Sequence, residues 1–256
     1  MSGLSGDKIL VTGALGQIGT ELVEALRKHH GASSVIASDL RPVDQVDGSQ
    51  GPYIQLDVLD TDLIVKVCKE EGVGTVYHLA ALLSATGEKN PALCRKVNVG
   101  GTVSVFEAAR QCSMRVFTPS SIAVFGPDAP KHAPQLTDLN PTTVYGETKV
   151  EGEQLAKEYE KKYGLDIRGI RYPGLISYKA PAGGGTTDYA VEIFEAALND
   201  GYYDCFVRPD TRLPMLYMDD AIRATLMLMD EPSENLGPSK AGYNIDCFSF
   251  TAEELA

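Results

Sequence analysis

The sequence predicts an α/β fold in which parallel strands form one sheet and helices cover both of its faces. Two observations carry this prediction. Short β-branched runs alternate with amphipathic helical segments over residues 1–176, and the first strand turns into a helix through regularly spaced glycines. The chain has 256 residues, of which 43% are hydrophobic and 23% charged. We therefore expect a doubly wound, Rossmann-like parallel sheet at residues 1–176 and a small C-terminal substrate lobe at residues 177–256.

The first strand and the first helix are joined by a turn with glycines at positions 13, 16 and 19. A strand that turns sharply into a helix leaves free backbone N–H groups at the positive end of the helix. These groups bind a pyrophosphate when no side chain blocks its approach. We assign Gly13 to the turn, Gly16 to the phosphate contact and Gly19 to the packing of helix on strand.

The next predicted strand, residues 34–38, ends on Asp39, which lies twenty residues beyond Gly19. At this spacing a carboxylate accepts hydrogen bonds from an adenine ribose and repels a 2′-phosphate. Arg41 weakens that repulsion, but Asp39 decides the preference. The joint pattern predicts a dinucleotide site that favours NAD over NADP.

The following segments repeat the alternation of strand and helix. Strands are expected at 53–56, 75–81, 115–118 and 166–171, and helices at 61–71, 91–111 and 143–162. Ligands of such sheets bind outside the carboxyl ends of the strands. Asp39, Asp57, residues 79–81, residues 120–121 and residues 172–174 all fall at such ends, so we expect them to form one site.

The pattern changes after Ser177. A glycine-rich loop at 177–188 leads into a helix expected at 189–198, and a strand is expected at 243–248. Asp219 and Asp220 are expected to cap a further helix. A helix begins at residues 251–256, so we expect the natural chain to continue.

Composition argues against several classes of partner. The net charge of -12 disfavours nucleic acid and anionic membranes, and no apolar run reaches the roughly 18 residues of a membrane span. Five scattered cysteines without a C-x-x-C pair indicate reduced, mostly buried thiols and an intracellular location. Residues 1–7 lack the pattern of a targeting segment. No His/Cys cluster has zinc spacing, so we expect no metal, and His78 is expected to line the core.

Tyr145 and Lys149 are four residues apart on a predicted helix and therefore share one face. A nearby cation lowers the pKa of a phenol from about 10 by roughly 1–3 units, which would make Tyr145 a general base. The other donors of Lys149 suit the hydroxyls of the nicotinamide ribose. A hydroxyl from Ser120 or Ser121 would position the alcohol of the substrate.

Four motifs together resemble the extended short-chain dehydrogenase/reductase family. They are the glycine turn, residues 121–126, the Tyr145/Lys149 pair and the Arg-Tyr-Pro-Gly segment at 171–174. Nucleotide-sugar epimerases and dehydratases of this family usually carry Asn where this chain has Gly174. Residues 119–126 and 183–190 are instead similar to the short-chain type of L-threonine 3-dehydrogenase.

This resemblance implies oxidation of L-threonine to 2-amino-3-oxobutanoate, with hydride passing to NAD. It implies Tyr145 as base, Lys149 as its activator and ribose anchor, Ser121 as the catalytic hydroxyl, and Asn98 as the support of a proton-relay water. The implied cofactor contacts are Gly13, Gly16, Gln17, Ile18, Gly19, Asp39, Leu40, Asp57, Val58, Leu79, Ala80, Ala81, Asn98, Tyr145, Lys149, Tyr172, Gly174 and Leu175. The implied substrate contacts are Ser84, Ser120, Ser121, Tyr145, Thr186, Thr187 and Asp188.

A zwitterionic substrate needs partners for both charges. Backbone N–H groups of the glycine run and the Thr186 hydroxyl suit its carboxylate, and Asp188 suits its ammonium. The resemblance also suggests a homodimer through helices 91–111 and 143–162, and eukaryotic relatives suggest mitochondria. Two other functions remain open: a nucleotide-sugar epimerase or dehydratase with permanently bound NAD, and a non-enzymatic NAD sensor. Loss of Tyr145 or Lys149 would favour the sensor, and both are present.

Overall fold

The computed structural model describes residues 8–180 and 183–256. The strands are β1 (Lys8–Thr12), β2 (Val35–Asp39), β3 (Tyr53–Gln55), β4 (Val73–His78), β5 (Arg115–Phe117), β6 (Ser120–Ser121), β7 (Ile167–Arg168), β8 (Ile170–Tyr172), β9 (Gly174–Ile176), β10 (Arg212–Tyr217), β11 (Tyr243–Asn244) and β12 (Phe248–Thr251). The helices are α1 (Gln17–His30), α2 (Thr61–Glu71), α3 (Ser84–Lys89), α4 (Pro91–Arg95), α5 (Gly101–Cys112), α6 (Val144–Tyr163), α7 (Tyr189–Asn199), α8 (Met218–Asp230) and α9 (Ala252–Leu255). The expectation that residues 1–7 lack a targeting segment concerns residues outside the described ranges.

The main sheet has six parallel strands in the order β3-β2-β1-β4-β5-β7. Successive residues of β1 point to opposite faces, as the pleat requires. Leu10 packs in a core with residues of α2, α5 and α6. Ile9 and Val11 pack in a second core with residues of α1 and α8. The predicted doubly wound α/β fold is therefore confirmed.

Local sequence signals fix the ends of the long helices. The Asp60 side chain accepts a hydrogen bond from Leu63 N at the start of α2, and Gly72 ends the helix in the left-handed conformation. Thr143 caps α6 through Gly146 N, and Gly164 ends it in the same left-handed way. These caps determine where α2 and α6 begin and end.

Two expected strands are divided in the structure. The run 166–171 breaks at Gly169, where a Cβ would lie 2.4 Å from Thr118 O, and its two halves join different sheets. The run 243–248 divides into β11, which pairs with β8, and β12, which pairs with β10. Helix α3 was not expected at all. The carboxylates of Asp219 and Asp220 lie in the first turn of α8 and make no cap, so that prediction was wrong.

The C-terminal part contributes to two regions. Helix α8 packs against α1, and β11 extends the small sheet formed by β6 and β8. Helix α7, β10 and β12 surround a separate apolar cluster that contains Tyr189 and Met215. The boundary at residues 176 and 177 stays a prediction. Within the described residues, no helix is long and apolar enough to cross a membrane.

Candidate active site

The glycine turn leaves no space for side chains at Gly13 and Gly19. Gly13 has φ +67°, and a Cβ there would lie 2.6 Å from Ala80 N. A Cβ on Gly19 would lie 2.3 Å from Gly13 O, so Gly19 packs against the turn itself rather than against the strand. Gly16 has φ -78°, and its Cβ would meet only Gly13 O at 3.3 Å. The result is a bare backbone cradle at the start of α1, which fits a pyrophosphate.

Asp39 lies next to this turn at the carboxyl end of β2. Its Oδ2 accepts a hydrogen bond from Leu15 N at 3.2 Å, and its Oδ1 accepts one from Leu40 N at 2.8 Å. Leu40 and Asp57 are exposed beside it, whereas Val58 is buried. The sheet thus brings the residues predicted for the adenosine half of NAD to one edge.

Tyr145 and Lys149 share one face of α6, as their spacing predicted. Lys149 Nζ lies 5.5 Å from the centre of the Tyr145 ring and donates a hydrogen bond to Pro119 O at 2.9 Å. Ser121 follows Pro119 closely in β6, and its Oγ accepts a hydrogen bond from Ala123 N at 3.2 Å. A hydrogen bond also joins Ser121 to the Tyr145 phenol. Three groups suited to proton transfer from an alcohol therefore meet.

Burial governs the protonation of this pair. It raises the pKa of Tyr145 to about 12, and the hydrogen bond from Ser121 opposes that rise. Burial lowers the pKa of Lys149 to about 8. The expected lowering of the Tyr145 pKa below its usual value is therefore not found in this structure, because burial is the largest influence on it.

Asn98 lies in a π-helical segment, Lys96–Gly100, that joins α4 to α5. Its side chain accepts a hydrogen bond from Leu82 N at 2.8 Å and donates one to Leu82 O at 3.0 Å. It thereby holds the loop that follows β4. A small cavity of about 20 Å³ is lined by Asn98, Lys149 and Glu153, among others. That volume accommodates about one water molecule, as the relay prediction requires.

Ser120 differs from expectation. Its hydroxyl donates a hydrogen bond to Glu153 Oε1 at 2.6 Å, and Arg171 donates two hydrogen bonds to the same carboxylate at 2.8 and 2.7 Å. Ser120 lines the small cavity, but its hydroxyl is bound within this buried network. Glu153 and Arg171 were missed as supports of the site, although Glu153 follows Lys149 at a four-residue spacing on the same helix.

A larger cavity of about 370 Å³ lies beside the Tyr145 phenol. It brings together the predicted residues Gln17, Ile18, Leu79, Ala81, Ser84, Ser120, Ser121, Tyr145, Lys149, Tyr172, Gly174, Leu175, Thr186, Thr187 and Asp188. Gly13, Gly16, Gly19, Asp39, Leu40, Asp57, Val58, Ala80 and Asn98 lie outside its lining. Gln17, the first residue of α1, connects the glycine turn to the segment after β8. Its amide donates hydrogen bonds to Leu175 O at 3.3 Å and to Ser177 Oγ at 2.9 Å.

Two amides of the glycine run are bound within the chain. Gly184 N and Gly185 N each donate a hydrogen bond to Asp188 Oδ2 at 2.7 Å. The expectation that the N–H groups of the glycine run bind the substrate carboxylate stays a prediction, and these two amides would have to leave Asp188 to fulfil it. Burial raises the pKa of Asp188, and the two backbone hydrogen bonds oppose that rise.

His78 belongs to the core, as predicted. It is buried beneath the end of β4, where its Nδ1 lies 2.9 Å from Thr12 Oγ1. Burial lowers the pKa of His78 to about 3, so the ring is neutral at physiological pH.

Comparison with known families supports the pattern of motifs. The NAD dependent epimerase/dehydratase family matches residues 9–245. The chain belongs to this family. A bovine (Bos taurus) protein named "L-threonine 3-dehydrogenase, mitochondrial" is 45% identical over 97% of this chain and 66% of its own length. The chain thus spans just under two thirds of that relative.

Solved structures agree with this placement. A "Monomeric L-threonine 3-dehydrogenase" from a metagenome is 53% identical with a TM-score of 0.92, over 96% of this chain and 79% of its own. The holo form of a "GalE-like L-Threonine dehydrogenase" from Cupriavidus necator is 47% identical with a TM-score of 0.92. The match covers 96% of this chain and 80% of that one. A nucleoside-diphosphate-sugar epimerase from Agrobacterium tumefaciens shares the fold, with a TM-score of 0.83 and 24% identity.

Proposed function

We propose that this protein oxidises L-threonine to 2-amino-3-oxobutanoate with NAD as the hydride acceptor. The observation that carries the proposal is that Tyr145, Lys149 and Ser121 line the same cavity as Thr186–Asp188. Relatives at 45–53% identity bear the name of this activity. Together, the site chemistry and the relatives support a dehydrogenase of small hydroxy amino acids.

The phenolate form of Tyr145 accepts the proton of the C3 hydroxyl of threonine while the C3 hydrogen leaves as hydride. NAD, when bound, would supply the acceptor for that hydride. Lys149 stabilises the phenolate by its charge, and Ser121 holds the phenol and the alcohol in line. The C3 alcohol becomes a ketone, one proton goes to Tyr145, and the electron pair leaves with the hydride.

Charge on the cavity wall favours an amino acid. Among the described residues that line the cavity, Lys149 and Asp188 are the charged ones. A carboxylate partner suits the ammonium of threonine, and we assign that role to Asp188. The hydroxyls of Ser84, Thr186 and Thr187 suit its carboxylate.

The cofactor is NAD. Backbone N–H groups of the turn Gly13–Gly19 would hold its pyrophosphate, and Asp39 would accept hydrogen bonds from its adenine ribose. Lys149 would hold the nicotinamide ribose. The carboxylate of Asp39 favours NAD over NADP by repelling a 2′-phosphate.

A nucleotide-sugar epimerase or dehydratase is the second candidate, because the same family includes such enzymes. Gly174 disfavours it. A Cβ at this position would lie 2.4 Å from Met215 Sδ and 2.7 Å from the Thr187 side chain. The Asn that such enzymes usually carry here would therefore require these neighbours to move.

A homodimer through α4–α5 and α6 stays a prediction. One relative is described as monomeric, and Arg95 on this face is paired with Glu147 and Glu151 of the same chain. Light scattering at several protein concentrations would measure the mass in solution. An intracellular location is likewise a proposal from cysteine usage.

The function is tested by absorbance at 340 nm with NAD and L-threonine. D-Threonine, L-serine and UDP-galactose serve as comparison substrates. Steady NADH formation with L-threonine and none with D-threonine is the expected result. Conversion of UDP-galactose with no net NADH, and silence with L-threonine, would replace the proposal with the epimerase.

A further inference from the structure

The glycine turn at residues 183–185 closes on Asp188. Both Gly184 N and Gly185 N donate hydrogen bonds of 2.7 Å to Asp188 Oδ2, and only 8% of Asp188 is exposed. Hydrogen bonds to a buried carboxylate are stronger than those between neutral groups. The carboxylate therefore determines the shape of a turn that carries no side chains of its own.

The same turn contacts α3, which also contributes to the cavity lining. Gly184 O accepts a hydrogen bond from Ala85 N at 3.1 Å. A Cβ on Gly183 would lie 2.7 Å from Leu83 Cδ1, so the backbone approaches the start of α3 closely. Gly184 has φ +91°, a conformation that side chains disfavour. The turn thus spans from α7 to the element that carries Ser84.

The end of the turn also meets the sheet. A Cβ on Gly174 in β9 would lie 2.7 Å from Thr187, so Thr187 packs directly on that strand. Asp188 is followed at once by α7, whose first residues, Tyr189 and Ala190, are buried. Asp188 therefore stands between a fixed helix and a turn that depends on it.

We propose that Asp188 is a positioning residue that holds the glycine turn against α3 and so closes the substrate cavity over Tyr145. This inference rests on the proposed function for its substrate, but its structural part does not. The turn then excludes water from the reacting alcohol and fixes Ser84 and Thr186 for the substrate. The amides of Gly184 and Gly185 are bound to Asp188 and are therefore not free to bind an anion.

The test measures amide hydrogen exchange at Gly184, Gly185 and Ala85 by NMR in the absence of NAD and threonine. The variants are Asp188→Ala, Asp188→Asn and Glu192→Gln. Glu192 lies one turn further along α7 and accepts a hydrogen bond from Tyr203 Oη, so it is the matched control. The KM for L-threonine, the kcat and the Kd for NAD are measured on the same proteins.

Asp188→Ala should speed exchange at all three amides by at least tenfold, including Ala85, which does not touch Asp188. The KM for L-threonine should rise at least tenfold, with the Kd for NAD within twofold. Asp188→Asn keeps an acceptor oxygen, so exchange should stay within about threefold of the wild-type rate, and any remaining rise in KM reports the lost charge. Glu192→Gln should leave exchange unchanged.

Exchange at Gly184 and Gly185 within twofold of wild type in Asp188→Ala would overturn the proposal, as would faster exchange there without any change at Ala85. If Asp188→Ala does not fold, Gly184→Ala serves instead. It strains the same turn and leaves Asp188 intact, so exchange at Ala85 must rise for the proposal to stand. A wild-type protein that is inactive on L-threonine would refute the proposed function but leave the exchange result decisive.

Discussion

The three glycines of the cofactor turn should respond differently to the same substitution. In Gly13→Ala, the new Cβ meets Ala80 N at 2.6 Å in a residue with φ +67°. The left-handed conformation costs about 1–2 kcal/mol and the overlap about 1–3 kcal/mol. We expect the free energy of unfolding to fall by about 2–5 kcal/mol. For Gly19→Ala, the 2.3 Å contact with Gly13 O alone predicts a loss of about 1–3 kcal/mol.

Gly16→Ala should instead separate binding from stability. The new Cβ lies 3.3 Å from Gly13 O at an ordinary φ of -78°. Stability should therefore stay within about 1 kcal/mol of wild type. The methyl group occupies the space in which the backbone meets the pyrophosphate, so the Kd for NAD should rise at least tenfold, or about 1.4 kcal/mol.

Urea unfolding followed by circular dichroism and calorimetric titration with NAD measure the two effects on each variant. The reasoning fails if Gly16→Ala binds NAD as tightly as wild type. It also fails if Gly16→Ala loses as much stability as Gly13→Ala, since the two positions would then play the same role.

Three further substitutions test the rest of the site. Asp39→Ala should weaken the binding of NAD and reduce the difference between the Kd values for NAD and NADP in parallel titrations. The reason is that no carboxylate remains to bind the ribose or repel the 2′-phosphate. An unchanged ratio of the two Kd values would contradict the assignment. Ser121→Ala should lower kcat about 10–100-fold in steady-state assays with little change in the Kd for NAD; an unaltered kcat would exclude its role. The depressed pKa of His78, about 3, means that the unfolded chain binds an extra proton between pH 6.5 and 3. The free energy of unfolding should therefore fall by about 1.4 kcal/mol for each unit by which the pH is lowered in this range. Urea unfolding of His78→Gln should lack this part of the pH dependence.

The sequence predicted the main sheet because its signals are local. Helix α2 was expected at residues 61–71 and is found at Thr61–Glu71, between the Asp60 cap and Gly72. The Tyr145/Lys149 pair depends only on helical spacing, and the glycine turn only on backbone freedom. Each of these features is specified within a few residues of the chain.

The features that differed depend on distant partners. The strand divides at Gly169, where the carbonyl oxygens of Thr118 and Ala241 occupy the space that a Cβ would need. Ser120 is engaged by Glu153 on α6 and, through it, by Arg171 on β8. No local pattern shows which neighbour a hydroxyl will find once the chain is folded.

The pKa of Tyr145 shows the same limit in energetic terms. Sequence spacing identifies the cation beside the phenol but not the loss of solvent around both groups. Burial shifts the two pKa values apart, raising that of Tyr145 to about 12 and lowering that of Lys149 to about 8. The site therefore holds the phenol and the ammonium without solvent screening, which strengthens the effect of Lys149 once Tyr145 gives up its proton.

The most direct test of the central claim follows the hydrogen at C3 of the substrate. L-[3-²H]threonine and NAD are incubated with the protein, with Tyr145→Phe as the control, and the NADH is examined by mass spectrometry. The account predicts NADH that carries one deuterium from the wild-type protein and at least a hundredfold less product from Tyr145→Phe, which still binds NAD. NADH without deuterium, or undiminished turnover by Tyr145→Phe, would contradict it.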